Sequence, residues 1–302
     1  MTPNEFLYAV LKAQSLDSES DEVKAMQTEK DKVKALLHEC FAECPIKIRY
    51  AGSWAKTTMI KESYDLDLTC YFNRDDDDAG GTLEDIYNRV REALQKQYAV
   101  DPKRSALRLS GKEGKAKGIY YHVDVIPGRF VDDEKDDAYL FQAEGEKKRL
   151  KTNVQKHIDH VKDSGLTDVI RLLKLWKHRT GLTELKTFIL ELLTIEVLQR
   201  SDAAKLDEAL VKFWKKMKDE GADFVIKDPA NPEGNDLSGI FNESVRSMLV
   251  SSASDALARA ASGDWEGIFG PVSEPSKDER VAAFATLSSK SPDAPKPWCD
   301  VR

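Results

Sequence analysis

Apolar residues recur at helical spacing early in the chain, between Ser20 and Cys44. They return every three or four positions with charged residues between them, which predicts one long amphipathic helix. Ser20 suits the N-cap because its side-chain oxygen can accept a backbone N–H, and Asp21 and Glu22 suit the first turn. Pro45 follows at once and is expected to end the helix.

Alternation of apolar and polar residues then replaces the helical period. The stretch from Ile46 to Ala51 alternates and predicts a strand, which Gly52-Ser53 breaks. A short helix is expected to begin within Trp54 to Met59, and Asp65 to Phe72 predicts a second strand. The other elements predicted for this half are a helix at Leu83–Tyr98 and strands at Ala106–Leu109 and Ile119–Ile126, the last ended by Pro127-Gly128.

The second half of the chain carries helical patterns. One of them, from Lys186 to Arg200, is apolar nearly all round and should be buried centrally. A mixed α/β half before a helical half predicts an α+β fold of two domains, residues 1–150 and residues 151–302, with the active cleft between them. From Ser288 the chain is rich in Ser, Pro and Lys, which predicts a loose tail. The remaining predicted helices are Asp168–Arg179, Leu206–Lys218 and Glu243–Ala261.

The composition is that of a globular chain with an acidic balance. Of its 302 residues, 41% are hydrophobic and 33% are charged, so a substantial core is expected, and the formal net charge is −7. Proteins that grip long DNA or RNA usually carry a dense basic face. The acidic balance therefore predicts no stable complex with nucleic acid and favours small anionic substrates bound at a local basic site.

The sequence predicts neither export nor insertion into a membrane. It has no apolar run long enough to span a bilayer, and its first residues lack the basic-then-apolar layout of a signal peptide. The four cysteines match neither a disulfide framework nor a zinc pattern. A reducing compartment, the cytoplasm, is expected, and we expect a monomer. The four are Cys40, Cys44, Cys70 and Cys299.

Paired acids on predicted strands are the main candidates for chemistry. Alternate residues of a strand share a face, so Asp65 and Asp67 point one way while the leucines between and after them point into a core. Asp124 repeats this pattern on the strand ended by Pro127-Gly128 and could lie beside them. Three carboxylates that converge from two strands suit two Mg²⁺ ions, or Mn²⁺ in their place, because Mg²⁺ prefers hard oxygen ligands.

The Gly52-Ser53 turn, eleven residues before Asp65, adds a candidate phosphate site. Glycine lets the backbone approach a phosphate closely, and Ser53 can add a hydroxyl. His122 shares the predicted face of Asp124, and we interpret it as a rim residue that hydrogen-bonds a neighbour. The run Asp75–Asp78 is typical of a solvated loop, since no regular ligand spacing follows it.

Together these residues resemble a known signature. Gly52-Ser53, the acids Asp65 and Asp67, and a later strand acid are similar to the DNA polymerase β-like nucleotidyltransferases. With the second half included, roughly residues 45–270 resemble the bacterial cGAS/DncV-like nucleotidyltransferases of anti-phage signalling. The segments of the second half that resemble oligoadenylate synthases are Ile170–Trp176, Leu185–Leu193, Lys227–Asn235 and Asp264–Phe269.

The resemblance implies a fold and a role for each matching residue. The fold is a polymerase β-like core with a mixed sheet, followed by an oligoadenylate synthase-like helical half. Asp65 and Asp67 would bind both metals, and Asp124 would complete one metal site and help to deprotonate the acceptor hydroxyl. The nucleotide contacts implied are Gly52 and Ser53 at the donor triphosphate, Lys174 at its phosphates, Thr187 at a neighbouring polar position and Phe188 stacked on a base.

Structural readings compete with several of these roles. Lys174 could be an ordinary exposed lysine, since its apolar neighbours on the helix face the core, and Phe188 could simply pack in the core. Glu191 lies in an apolar run and is expected to have a structural partner. The Pro/Gly/Asn-rich stretch Asp228–Asn235 predicts a rigid structural turn. Lys112, Lys115 and Lys117 are expected in a solvated hairpin turn.

The activity implied by the resemblance is the synthesis of a cyclic di- or trinucleotide from nucleoside triphosphates, with release of pyrophosphate. The product would be a second messenger read by an effector protein. Two alternatives stay open: a nucleotidyltransferase that modifies tRNA or protein, and an inactive nucleotide-binding regulator. A basic RNA-binding segment would favour the first, and loss of one of the three acids would favour the second; the sequence has neither feature.

Overall fold

A mixed sheet with helices on both faces forms the first half of the molecule. The computed structural model describes residues 1–17, 19–111, 122–144 and 148–272. In these residues the strand order is β1-β2-β5-β4-β3, and β6 pairs with both β5 and β7. The strands are β1 (Ile46–Tyr50), β2 (Asp65–Phe72), β3 (Tyr98–Pro102), β4 (Leu107–Gly111), β5 (His122–Phe130), β6 (Ala138–Phe141) and β7 (Arg149–Thr152).

Helices flank the sheet and fill the second half of the described chain. Ser20 caps the long second helix as predicted, its hydroxyl accepting the Val23 N–H at 3.3 Å. That helix ends at Cys40, four residues earlier than predicted, and a turn leads to Pro45. The helices are α1 (Pro3–Ala13), α2 (Asp21–Cys40), α3 (Gly52–Ala55), α4 (Leu83–Gln95), α5 (Val154–Ser164), α6 (Thr167–Arg179), α7 (Thr187–Val197), α8 (Leu206–Glu220), α9 (Glu243–Ala261) and α10 (Trp265–Phe269).

Two hydrophobic cores lie on opposite faces of the sheet. The back face, which includes Leu66 and Leu68 of β2, packs against α2 and α4. The front face, which includes Tyr71 and Ile126, joins a larger core built by the C-terminal helices. Helix α1, which the sequence analysis did not predict, packs in this second core through Leu7 and its neighbours. The acids at the start of β2 therefore lie on the face that meets the helical half.

Strand β5 runs past its predicted end, because Pro127-Gly128 does not end it; residues 119–121 of the predicted strand lie outside the described part of the chain. The strand runs on to Phe130, with Pro127 paired to Cys70 of β2. Among the described residues, β4 pairs with Val123 to Val125 and not with Pro127, so at Pro127 the ladder is present on one side and a missing N–H is tolerated. A side chain at Gly128 would collide with β6, so glycine allows β6 to pack close.

Candidate active site

The register of two parallel strands brings the three predicted acids together. Strand β2 runs parallel to β5, with Asp65 opposite His122 and Asp67 directly opposite Asp124. Paired residues of neighbouring strands point to the same face, so all three carboxylates lie on the front of the sheet. Asp124 is fully buried and Asp67 nearly so, while Asp65 is partly exposed.

Gly52 allows the Gly-Ser turn to pack directly against this cluster. Its φ of +58° lies in the left-handed region, and a Cβ at this position would overlap the Asp67 carboxylate. Only glycine meets both conditions without strain. The Ala51 N–H donates to the Asp67 carbonyl at 2.9 Å, so the turn and β2 are also joined through the backbone. Ser53 follows in the first turn of α3 and is half-buried.

Arg108 is a residue of the site that the sequence analysis missed. It lies on β4 directly opposite Asp124, and its Nε and Nη2 each donate to one carboxylate oxygen of that residue at 2.9 Å. Burial alone would lower the pKa of Arg108. The hydrogen bonds to Asp124 and the charges of Asp65 and Asp67 outweigh burial and raise the pKa above its ordinary value. The sequence shows only a charged residue between two leucines, Leu107 and Leu109. The pairing of β4 with β5 is needed to place that charge beside the acids.

The carboxylates do not surround a common centre as metal ligands do. Within the residues that the structure describes, no three His, Cys, Asp or Glu side chains form such a group. Asp124 has both oxygens hydrogen-bonded by Arg108. The structure therefore confirms that the acids share one face of the sheet, while their role as metal ligands stays a prediction.

Lys174 is buried, and the reading of it as an ordinary exposed lysine is wrong. Its side chain passes between α6 and the loop after α3, where Nζ donates to the Thr58 carbonyl at 2.7 Å. Burial lowers the pKa of Lys174 to about 8, with Lys56 acting in the same direction and Glu191, Asp65 and Asp67 opposing it. The ammonium group thus lies within electrostatic range of the acid pair.

Glu191 has the structural partner that its apolar surroundings predicted. Its carboxylate accepts from Lys56 Nζ at 2.7 Å and from the Thr58 hydroxyl at 3.2 Å. Lys56, Thr58 and Glu191 are each at most 4% exposed. Because Thr58 also holds Lys174, this buried cluster joins the loop after the Gly-Ser turn to both α6 and α7.

Phe188 packs in the core and has no open ring face in this structure. It is 3% exposed, with Lys56 Nζ 5.4 Å from the ring centroid and the His157 ring at 5.1 Å. Contact with a base needs an accessible face, so the burial of Phe188 favours the core-packing alternative, and the stacking role stays a prediction. Thr187, the first residue of α7, is partly exposed and stays a candidate for polar contact with substrate.

The turn at Asp228–Asn235 is built around one buried carboxylate. Asp228 lies 2.7 Å from His157 Nε2 and accepts from Asn235 Nδ2 at 2.7 Å and from the Ala230 N–H at 2.8 Å. Burial alone would raise the pKa of Asp228, but these hydrogen bonds and the nearby His157 lower it. The turn has the structural role predicted for it, since it positions the His157 ring beside Phe188.

A cavity of about 620 Å³ opens beside Ser53, between α3, α5 and α6. Thr57, on its wall, has a φ of +60°, which a β-branched residue rarely adopts. Strain of this kind is often kept at ligand sites. The aromatic pair Tyr50 and Trp54, with ring centroids 5.5 Å apart, forms another part of the wall.

Other predicted features lie away from the acid cluster. Asp75, Asp77 and Asp78 are exposed, as a solvated loop predicts, and a short 3₁₀ helix covers Asp77–Ala79. No helix in the described part of the chain is long and apolar enough to cross a membrane. The predicted lysine turn at Lys112, Lys115 and Lys117 and the predicted tail from Ser288 lie outside the described residues.

By sequence, no protein-family model matches the chain, and no curated protein is significantly similar to it. Solved structures do match. The CD-NTase CdnG of Bradyrhizobium diazoefficiens, in complex with GTP, aligns with a TM-score of 0.70 at 12% identity, over 94% of this chain and 98% of CdnG. CdnC of E. coli MS115-1, in its complex with HORMA-deltaN, gives 0.68 at 18% identity, over 89% and 97%.

A third structure extends the likeness to a synthase of known product. Vibrio cholerae DncV, a cyclic AMP-GMP synthase and prokaryotic cGAS homolog, aligns with a TM-score of 0.60 at 16% identity, over 91% of this chain and 87% of DncV. At such identities the likeness establishes the fold, which is the α+β arrangement that the sequence predicted. The chain has the fold of the bacterial cGAS/DncV-like nucleotidyltransferases.

Proposed function

We propose that this protein is a template-independent nucleotidyltransferase that joins nucleoside triphosphates and releases pyrophosphate, with two Mg²⁺ ions, or Mn²⁺, as cofactors. One observation carries the proposal. Strands β2 and β5 place Asp65, Asp67 and Asp124 on one face of the sheet, and Gly52 fits directly against Asp67. A phosphate-binding turn joined to a carboxylate cluster suits transfer of a nucleotidyl group.

The donor atoms of the cluster fit a hard divalent cation. Three carboxylates offer only oxygen ligands, and the partial exposure of Asp65 gives solvent access to one side of the cluster. When bound, such ions lower the pKa of the attacking hydroxyl and stabilise the charge on the leaving pyrophosphate. Asp65 and Asp67 would hold both ions, and Asp124 would complete the site of one of them.

The chain's own residues position the substrate. The backbone of Gly52 and the hydroxyl of Ser53 would receive oxygens of the donor triphosphate. Lys174, within electrostatic range of the acid pair, adds positive charge on the side of α6. Thr187 stands at the N-terminus of α7, where the helix dipole favours an anion. Asp124 accepts two hydrogen bonds from Arg108, which fixes its carboxylate plane.

The product that we propose is a cyclic di- or trinucleotide, which an effector protein would read as a second messenger in anti-phage defence. Support comes from proteins of the same fold: DncV is a cyclic AMP-GMP synthase, and CdnC and CdnG were solved with ATP and GTP respectively. Cyclisation requires the linear intermediate to be repositioned, so that its free hydroxyl attacks the α-phosphate of its own 5′-triphosphate and a second pyrophosphate leaves.

The identity of the product tests the proposal. The purified protein would be incubated with Mg²⁺ or Mn²⁺ and all four ribonucleoside triphosphates, and then treated with phosphatase. Mass spectrometry should find a phosphatase-resistant cyclic product, whose mass identifies the bases. Labelling of added tRNA or protein, without a cyclic product, would instead support the macromolecular alternative.

A further inference from the structure

Arg108 brings a positive charge to the most buried acid of the cluster, Asp124. Asp67 and Asp124 are directly paired neighbours on adjacent strands, and Asp65 is two positions along the same face. Three carboxylates so placed repel one another in the absence of a cation. Arg108 enters this face from β4 and is itself mostly buried, with 18% of its side chain exposed.

The contact between Arg108 and Asp124 is bidentate, which fixes the carboxylate without using all of its capacity. Each oxygen of Asp124 accepts one N–H at 2.9 Å. An ionised carboxylate has about four acceptor positions, so the two hydrogen bonds from Arg108 do not by themselves exhaust them. Arg108 therefore leaves Asp124 able to bind a cation, but its own positive charge opposes that cation.

We propose that Arg108 is a tethered counter-ion of the acid cluster: it holds Asp124 in place in the metal-free protein and weakens cation binding until the negative charge of a nucleoside triphosphate arrives. The inference rests on the proposed function, since it assigns divalent cations to this cluster. A consequence of this role is that metal and triphosphate bind together, because the negative charge of the triphosphate offsets the positive charge of Arg108 that opposes the cations. Arg108 is thus a positioning residue and a regulator of metal affinity.

The test measures Mn²⁺ binding without nucleotide, from the electron paramagnetic resonance signal of free Mn²⁺. Arg108→Met removes the charge and keeps an unbranched side chain, whereas Arg108→Lys keeps the charge and loses the fork. We expect Arg108→Met to bind Mn²⁺ on the order of tenfold more tightly than the parent protein, and Arg108→Lys to stay near it. Arg104→Met is the matched control. Arg104 lies just before β4 and contacts Gln142, so its removal should leave Mn²⁺ affinity unchanged.

Two further comparisons keep the proposal falsifiable. If Arg108→Met does not fold, Arg108→Gln replaces it, because glutamine is neutral yet can still donate a hydrogen bond to Asp124. Adding Asp65→Asn and Asp67→Asn to the neutral variant should abolish the tight Mn²⁺ binding, which locates it at the acids. Equal or weaker Mn²⁺ affinity in the neutral variant would overturn the proposal.

The readout separates this inference from the proposed function. Failure of the parent protein to form any nucleotide product would refute the synthase, while tighter Mn²⁺ binding in Arg108→Met would still support the counter-ion. Product formation by the parent protein with unchanged Mn²⁺ affinity in the neutral variant would refute the counter-ion alone.

Discussion

Replacing Glu191 with leucine should leave the ammonium group of Lys56 buried without its counter-ion. The two groups are 2.7 Å apart, and their side chains are 5% and 3% exposed. Removal of one partner from a buried ion pair costs about 3–5 kcal/mol, because the remaining charge stays desolvated. Thr58 also loses its acceptor, which adds about 1 kcal/mol. The ring of Phe188 near Lys56 offsets about 0.5–1 kcal/mol of this loss.

The net expectation for Glu191→Leu is therefore a loss of about 3–5 kcal/mol in the free energy of unfolding, or a fall of roughly 10 °C in Tm. Urea unfolding followed by tryptophan fluorescence measures it. The matched variant is the double replacement Lys56→Met with Glu191→Leu, which removes both charges and keeps most of the volume. It should recover most of the loss, since apolar replacement of a whole buried pair is often neutral.

Either of two results would refute the role of Glu191 as the counter-ion of Lys56. If Glu191→Leu unfolds within about 1 kcal/mol of the parent protein, the carboxylate is not the counter-ion of a desolvated charge. If the double variant is as unstable as the single one, the loss comes from packing and not from an unpaired ammonium group.

Three further predictions concern the site and its supports. Gly52→Ala should lower turnover by about a hundredfold or more, because the new methyl group displaces Asp67. Gly181→Ala is the control: Gly181 also has a positive φ, +71°, but an added Cβ would meet no atom within 4 Å, so the substitution strains the backbone alone and turnover should be kept. The pKa of Lys174, lowered to about 8, predicts that the KM for nucleoside triphosphate rises above pH 8 as the charge is lost, and that Lys174→Arg removes this rise in a pH series. Asp228→Asn should cost about 2–3 kcal/mol at pH 7, by urea unfolding, because an NH2 group replaces one oxygen of a buried carboxylate whose two oxygens face three donors. Because the pKa of Asp228 is lowered on folding, its contribution is present above the ordinary pKa of 3.8 and fades as pH falls through the folded pKa, so the two proteins should converge in stability in acid.

Two elements have their predicted bounds, whereas helix α2 ends four residues before its predicted end. Strand β2 has the predicted bounds, Asp65–Phe72, because alternation of acids and leucines admits only one assignment of faces. Helix α9 also matches, at Glu243–Ala261. The elements missed from the sequence are helices α1 and α5, of eleven residues each, and strands β6 and β7, of four residues each. The helix predicted over Leu83–Tyr98 ends at Tyr98, where β3 begins, and the rest of β3 was assigned to no element.

Site residues that a local sequence pattern marks could be predicted. Site residues whose place depends on strand pairing or on contacts between distant segments could not. The acids and Gly52 follow from local pattern, since strand alternation and a turn residue are visible in the sequence. Arg108 requires the β4–β5 register, which no local pattern contains. The surroundings of Phe188 were not predictable for the same reason, since its neighbours Lys56 and His157 come from distant segments.

Pyrophosphate release in Mg²⁺ and nucleoside triphosphates tests the central claim most directly. The protein is compared with the double variant Asp65→Asn, Asp67→Asn, and with Asp75→Asn, Asp77→Asn, which removes the same charge from the exposed acid run. We expect the first variant to lose pyrophosphate release while its Tm stays equal or rises, because repulsion between the acids is relieved. The second variant should retain the activity of the parent protein. Undiminished turnover in a folded Asp65→Asn, Asp67→Asn protein would contradict the assignment of these acids as the catalytic centre.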